Sequence, residues 1–135
     1  MKACTDLEQS KKLAKILPLE SADMFIADVF LKEEQRHSYN FHFLTTWGHK
    51  NFDELKEREN KFVQFIPCWS LAALLDVLPN FIGDYGKCLY YDVGGYYCGY
   101  MVDGDFILTI EETNADNQID ACFEMIIKLN EQKIL

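Results

Sequence analysis

The alternation of apolar and polar positions is clearest in the second half of the chain. Residues 87–93, 96–102 and 105–111 are three runs of strand period, separated by Gly94-Gly95 and Asp103-Gly104. Both dipeptides supply the positive φ that two-residue hairpin turns demand, so the pattern predicts a three-stranded antiparallel meander. With both turns two residues long, Cys88, Tyr90, Tyr97, Gly99, Met101, Phe106, Leu108 and Ile110 share one face, which is expected to be the core face. Leu89, Tyr91, Tyr96, Cys98, Tyr100 and Ile107 share the other with Asp105, Thr109 and Glu111. Cys88 and Cys98 then point to opposite faces and cannot bridge.

Helical spacing marks three further segments. Thr5 and Glu8 have the spacing of a capping box, and an apolar stripe through Leu7, Leu13, Ala14 and Leu17 runs to Pro18, which predicts a helix over 6–17. Residues 71–78 run almost without polarity between Ser70, a good N-cap, and Pro79, which predicts a helix buried on most sides. Ile119, Phe123, Ile126 and Ile127 recur at helical spacing after Asp116-Asn117, and the last helix is expected to run from there to about Lys133.

The first half is less regular. Residues 24–31 are apolar, 32–38 form a charged break, and Tyr39, Phe41 and Phe43 then alternate with Asn40 and His42 as in a half-buried strand. This predicts a hairpin with a long polar loop. Residues 53–62 are charge-rich and suit either a short surface helix or a loop. The fold class expected is α+β: a three-stranded antiparallel meander and an N-terminal hairpin, packed against a buried central helix and a long C-terminal helix, in a single domain over 1–135.

Composition narrows the function classes. About half of the 135 residues are hydrophobic, which excludes a disordered chain. Charge breaks every long apolar run and the N-terminus lacks an apolar leader core, so the expectation is a cytoplasmic protein with no membrane association. Residues 1–67 hold 10 basic and 11 acidic side chains, against 3 and 11 in residues 68–135. So acidic a half repels phosphate backbones and argues against nucleic-acid binding.

Candidate chemistry is sparse. Cys4, Cys68, Cys88, Cys98 and Cys122 show no paired spacing, and the gaps between His37, His42 and His49 match no compact metal motif, so no metal or cofactor is expected. Asp103-Gly104-Asp105 and Asp116-Asn117 lack the ligand periodicity of a calcium loop. Cys68-Trp69 at the mouth of a helix would suit a thiol nucleophile, as in papain-like hydrolases, but every histidine lies upstream of it. A thiol-dependent hydrolase centred on Cys68 is therefore the alternative reading. The leading one is a non-enzymatic accessory protein acting through protein contacts, with a protein partner or as a homodimer. Its expected interaction surface is Tyr91, Tyr96 and Tyr100 with Asp105 and Glu111.

From Trp69 onward the order helix, three strands, helix resembles the topology of double-stranded-RNA-binding domains, but their phosphate-gripping lysines are replaced here by Asn114-Ala-Asp-Asn117 and Asp120. Other stretches resemble a recurrent group of small uncharacterised proteins from genomes and prophages of anaerobic gut bacteria. They are Lys2-Ala-Cys-Thr-Asp-Leu-Glu8, Leu17-Pro-Leu-Glu-Ser-Ala-Asp-Met24, Pro67-Cys-Trp-Ser-Leu-Ala-Ala-Leu-Leu75, Ala115-Asp-Asn117, Asp120-Ala-Cys122 and Met125-Ile-Ile-Lys-Leu129. Such proteins carry proline after Ala-Asp-Asn, where this chain has Gln118. The resemblance implies a mobile-element setting and no particular activity, and it does not extend to residues 25–62. An acidic inhibitor that mimics nucleic acid is one specific form of the protein-contact reading.

Overall fold

The computed structural model describes residues 2–49, 51–102 and 108–135, with backbone only for 108–110. The fold is α+β, and the backbone divides into two compact units, Cys4–Ala73 and Met1–Ala3 with Leu74–Leu135. The Asp103-Gly104 turn and Asp105 lie outside the described residues.

In the unit Cys4–Ala73, β1 (Met24–Leu31), β2 (Arg36–Phe43) and β3 (Val63–Cys68) form an antiparallel sheet in the order β2-β1-β3. The hairpin is tighter than its charged sequence suggests: Leu31 pairs with Arg36, so β2 begins within the polar break. Gln35, at φ 53, takes the left-handed conformation that turns the chain. The charge-rich segment forms only one short helix, α2 (Asp53–Lys56).

Strand β3 is not among the predicted elements, and it contains Pro67, a residue that a strand admits only where its missing N–H faces an edge. Phe30 N–H donates to Phe62 O at 2.8 Å, so even-numbered residues of β1 bond toward β3. Odd-numbered residues of β3, Pro67 among them, therefore face outward, where the missing N–H costs no ladder bond. That outer edge is occupied. Asn60 Oδ1 accepts the Val63 N–H at 3.0 Å, Glu59 Oε2 accepts the Phe65 N–H at 3.1 Å, and Thr5 Oγ1 accepts the Trp69 N–H at 3.1 Å.

Each face of this sheet carries its own core. On one, Cys4, Met24, Ile26 and Cys68 pack with Leu7 and Ile66. On the other, Phe25, Leu44, Phe52 and Leu55 pack with Leu19, Ala27 and Phe65. Helix α1 (Leu7–Ala14) lies beside β3. It starts one residue later than its sequence suggests, because Thr5 is engaged by Trp69 and by Ser10. Asp6 is the N-cap instead, in a capping box with Gln9. Trp69 is fully buried, and its indole N–H is satisfied by Ser21 Oγ at 3.0 Å.

Helix α3 (Leu71–Val77) follows, with the Ser70 hydroxyl accepting the Ala73 N–H at 3.3 Å as an N-cap should. It is less enclosed than expected, since Ala72 and Asp76 are exposed.

The second unit is built on a four-stranded meander, β4 (Phe81–Ile82), β5 (Tyr85–Asp92), β6 (Gly95–Val102) and β7 (Leu108–Ala115). It extends the predicted three strands by a two-residue edge and carries β7 four residues beyond Glu111. Asp92 pairs with Gly95, so the β5–β6 turn is Val93-Gly94. That differs by two residues from the predicted register, and an even shift leaves every β5 and β6 side chain on its expected face. Between β6 and β7 the register shifts at Tyr100/Met101, so Thr109 pairs with Met101 and Leu108 with Val102, the reverse of the faces predicted for these two positions. Helix α4 (Gln118–Glu131) closes the chain, with Asn117 as N-cap accepting the Asp120 N–H at 2.8 Å.

The choice of core face requires correction. Helix α4 packs on β6 and β7 over the face of Cys98, Tyr100 and Thr113, where Thr113 Oγ1 donates to Ala121 O at 2.7 Å. Cys98 and Tyr100 are fully buried there. On the opposite face Cys88, Tyr90, Tyr97 and Met101 stay half-buried, and the Tyr90 and Tyr97 rings stack at 4.9 Å. Lys87, on the α4 side, donates its ammonium to Leu75 O and to Leu78 O, the free carbonyls at the end of α3.

Candidate functional site

Of the five residues expected to form an interaction surface, the four that are described differ in exposure, and Tyr100 is not at the surface. Tyr91 is 70% exposed and touches the half-buried Tyr96, with ring centroids 5.0 Å apart. Tyr100 belongs to the core: its hydroxyl donates to Pro79 O at 2.6 Å, and burial pushes its phenol above the ordinary tyrosine range. Glu111 lies under α4, paired with Lys128 Nζ at 2.9 Å and with Gln132 Nε2 at 2.9 Å, and these partners hold its carboxyl below the usual range. Asp105 is outside the described residues.

Cys68 ends β3 instead of opening a helix, and it is fully buried. Its sulfur is hydrogen-bonded to that of Cys4, and this contact, burial and the Asp23 carboxylate all push the thiol far above its ordinary value. The hydrophobic cluster around it is Cys4, Met24, Ile26, Leu7 and Ile66, and the nearby Asp23 carboxylate is engaged by the Ser70 N–H and hydroxyl. A thiolate nucleophile has no support in this setting.

The histidines are dispersed. His37 Nδ1 lies 2.7 Å from Asp28 Oδ1 on one face of the sheet, and the β1–β2 register places His42 on the other. His49 is buried beyond the sheet, with Nδ1 3.4 Å from Glu54 Oε2. Among the described residues no group of three or more His, Cys, Asp or Glu side chains is arranged to hold a metal ion, and no helix is long and apolar enough to cross a membrane.

Strand β2 and its hairpin form where the alternation predicts them, but the burial expected of the aromatic side does not follow. Its aromatic alternation was expected to face a core. Instead Tyr39 and Phe41 are each 43% exposed and Phe43 is 46% exposed. Since even-numbered β1 residues bond toward β3, the odd-numbered ones bond β2 through Arg36, Ser38, Asn40 and His42. His37, Tyr39, Phe41 and Phe43 thus turn their backbone N–H and C=O groups to the outer edge, where no bond to them is made among the described residues, while their rings stand on the sheet face that also carries Met24 and Ile26. His37 and Tyr39 stack at 5.9 Å, with planes 9° apart. Alternation marked the strand, but it does not say whether anything lies on either face.

Among the described residues, a hollow lies on each face of this sheet. One, of about 290 Å³, lies on the His37 side between Asp28, Phe30, Lys61 and Gln64. The other, of about 240 Å³, lies on the His42 side, with Phe25 and Phe65 in its walls. Comparison with protein families, with curated proteins and with solved structures finds no match to this chain.

Proposed function

We propose that this chain is a non-enzymatic protein-binding module, which takes up an extended segment of its partner alongside β2. The carrying observation is the contrast between the two edges of one sheet. The β3 edge is occupied by Asn60, Glu59 and Thr5 and interrupted by Pro67. The β2 edge is eight residues long and has neither proline nor acidic or lysine side chains from His37 to Phe43. Natural proteins shield such edges unless something pairs with them. An added strand would gain main-chain hydrogen bonds from His37, Tyr39, Phe41 and Phe43, and its own alternate apolar side chains would lie against their rings.

An accessory protein of a mobile element, the setting implied by the sequence resemblance, could engage a host protein in this way. The nucleic-acid-mimic form has less support, because the carboxylates of the acidic half are divided. Glu112 accepts from Tyr90 on the sheet face away from α4, whereas Glu124 and Glu131 are exposed on α4 itself. Glu111 and Asp120 are neutralised by Lys128 and Lys2.

The test is amide hydrogen exchange with a photo-crosslinking residue at Phe41. In the isolated protein the amides of Tyr39, Phe41 and Phe43 should exchange rapidly. In the complex they should be protected, with the crosslink falling on an extended partner segment, or on β2 of a second copy if the partner is the chain itself. A Phe41→Lys variant should keep its fold and lose the complex. A complex that forms equally well with Phe41→Lys, with protection elsewhere, sinks the proposal.

A further inference from the structure

The structure assigns to the opposite face of the same sheet a binding site for a small aryl carboxylate, a function separate from strand capture at β2. The site is the 240 Å³ hollow. Its floor is Ala27, which sits on β1 opposite Phe65 and beside Phe25. A methyl group at this position leaves open the space that a larger strand residue would fill.

The walls are aromatic and steeply inclined to one another. Phe25 meets Phe65 at 79° with centroids 5.7 Å apart, and His42 meets Trp47 at 76° and 5.2 Å. Leu55 of α2 closes one side. The rings of each pair touch, so the open space is the hollow that the lining encloses beside Ala27, where a flat aromatic guest can meet ring faces and ring edges together. A closed apolar cavity of roughly 150 Å³ takes benzene, so the volume here suits a substituted or fused ring system.

The polar groups set the rest of the chemistry. Arg58 lines the hollow, is exposed, and among the described residues its guanidinium makes no hydrogen bond or ion pair. The other nitrogen-bearing side chains of the lining are His42, Trp47 and His49, of which His49, 6% exposed, is engaged through Nδ1 by Glu54. Glu54 is itself outside the lining. An apolar hollow with an unengaged guanidinium at its rim is matched by a flat ring bearing one carboxylate, since arginine presents a planar fork of donors to that group.

The experiment titrates the full chain with 2-naphthoate and, separately, with its neutral isostere 2-naphthamide. Binding is read by calorimetry and by the Ala27 methyl resonance. Naphthoate is expected to saturate and to shift that methyl, with the amide bound about tenfold or more weakly, as one lost charge-assisted contact implies. Arg58→Gln should weaken naphthoate to the level of the amide and leave the amide unchanged. Ala27→Leu should abolish both; Arg58, being exposed, keeps the test intact should that variant fail to fold. Absence of a saturable Ala27 shift, or equal affinity for acid and amide with no effect of Arg58→Gln, overturns the assignment.

Discussion

The carboxylate of Asp23 grips Ser70 twice, accepting its backbone N–H at 2.9 Å and its hydroxyl proton. Asp23 precedes β1 and Ser70 follows β3, and Met24 and Cys68 are paired between them, so this contact closes the end of the β1–β3 ladder. The same hydroxyl oxygen accepts from Ala73, so the cap of α3 is held in place by the sheet. Asp23→Ala should cost about 1.5–3 kcal/mol in chemical denaturation, the range for hydrogen bonds to a charged group. Ser70→Ala should cost about 1 kcal/mol, and the double variant less than the sum of the two. Strict additivity would show that the two residues act independently.

Thiol reactivity should follow burial. Cys68, Cys98 and Cys122 are fully buried and Cys4 nearly so, whereas Cys88 is half-buried on the outer sheet face. Maleimide applied to the native protein, read site by site by mass spectrometry, should modify Cys88 first. The others should react slower by about two orders of magnitude or more until denaturant is added, because they require an opening of several kcal/mol. Rapid native labelling of Cys68 would revive a nucleophilic role for it.

Glu111 should make stability depend on pH. Lys128 and Gln132 hold its carboxyl below the ordinary value of 4.5, so on acidification the unfolded chain takes up this proton first. The stabilisation is complete above that ordinary value and is lost as pH falls through the folded-state value. Glu111→Gln should flatten the acid limb of the stability curve and cost roughly 0.5–1 kcal/mol at neutral pH. Superimposable acid limbs for the two proteins would show that Glu111 contributes nothing.

Gly95 has a backbone reason to be glycine. Its φ is +114°, and a Cβ there would lie 2.7 Å from the backbone oxygen of Ala115 on the neighbouring strand. Gly95→Ala should therefore destabilise the meander by roughly 1–3 kcal/mol, with the loss seen as a lower denaturation midpoint. A variant as stable as the parent would mean that the turn relaxes to another conformation.

The elements that could be read from the chain are those whose signals are local. Asn117 caps α4 and Ser70 caps α3 because each hydroxyl or amide reaches an N–H three residues on. The β5–β6 hairpin is legible because Gly94 and Gly95 interrupt two alternating runs. Thr5 misled, and β3 with its Pro67 was not foreseen, for one reason: each is governed by residues distant in sequence. Thr5 is taken from helix capping by Trp69, and Pro67 is admitted to a strand because its ring lies on an outer edge.

The candidate sites were the least legible part. Period-two alternation determined that Tyr96, Cys98 and Tyr100 share a face and that Tyr39, Phe41 and Phe43 share another. It is silent on which face is covered, because exchanging the two faces of an aromatic strand leaves the pattern unchanged. Tertiary structure decided that α4 covers Cys98 and Tyr100 and that β2 keeps its aromatic edge open. It also assembled the hollow over Ala27 from β1, β2, β3, α2 and the segment carrying Trp47 and His49. Burial is a property of what packs against a residue, and for these residues the packing partner comes from elsewhere in the chain.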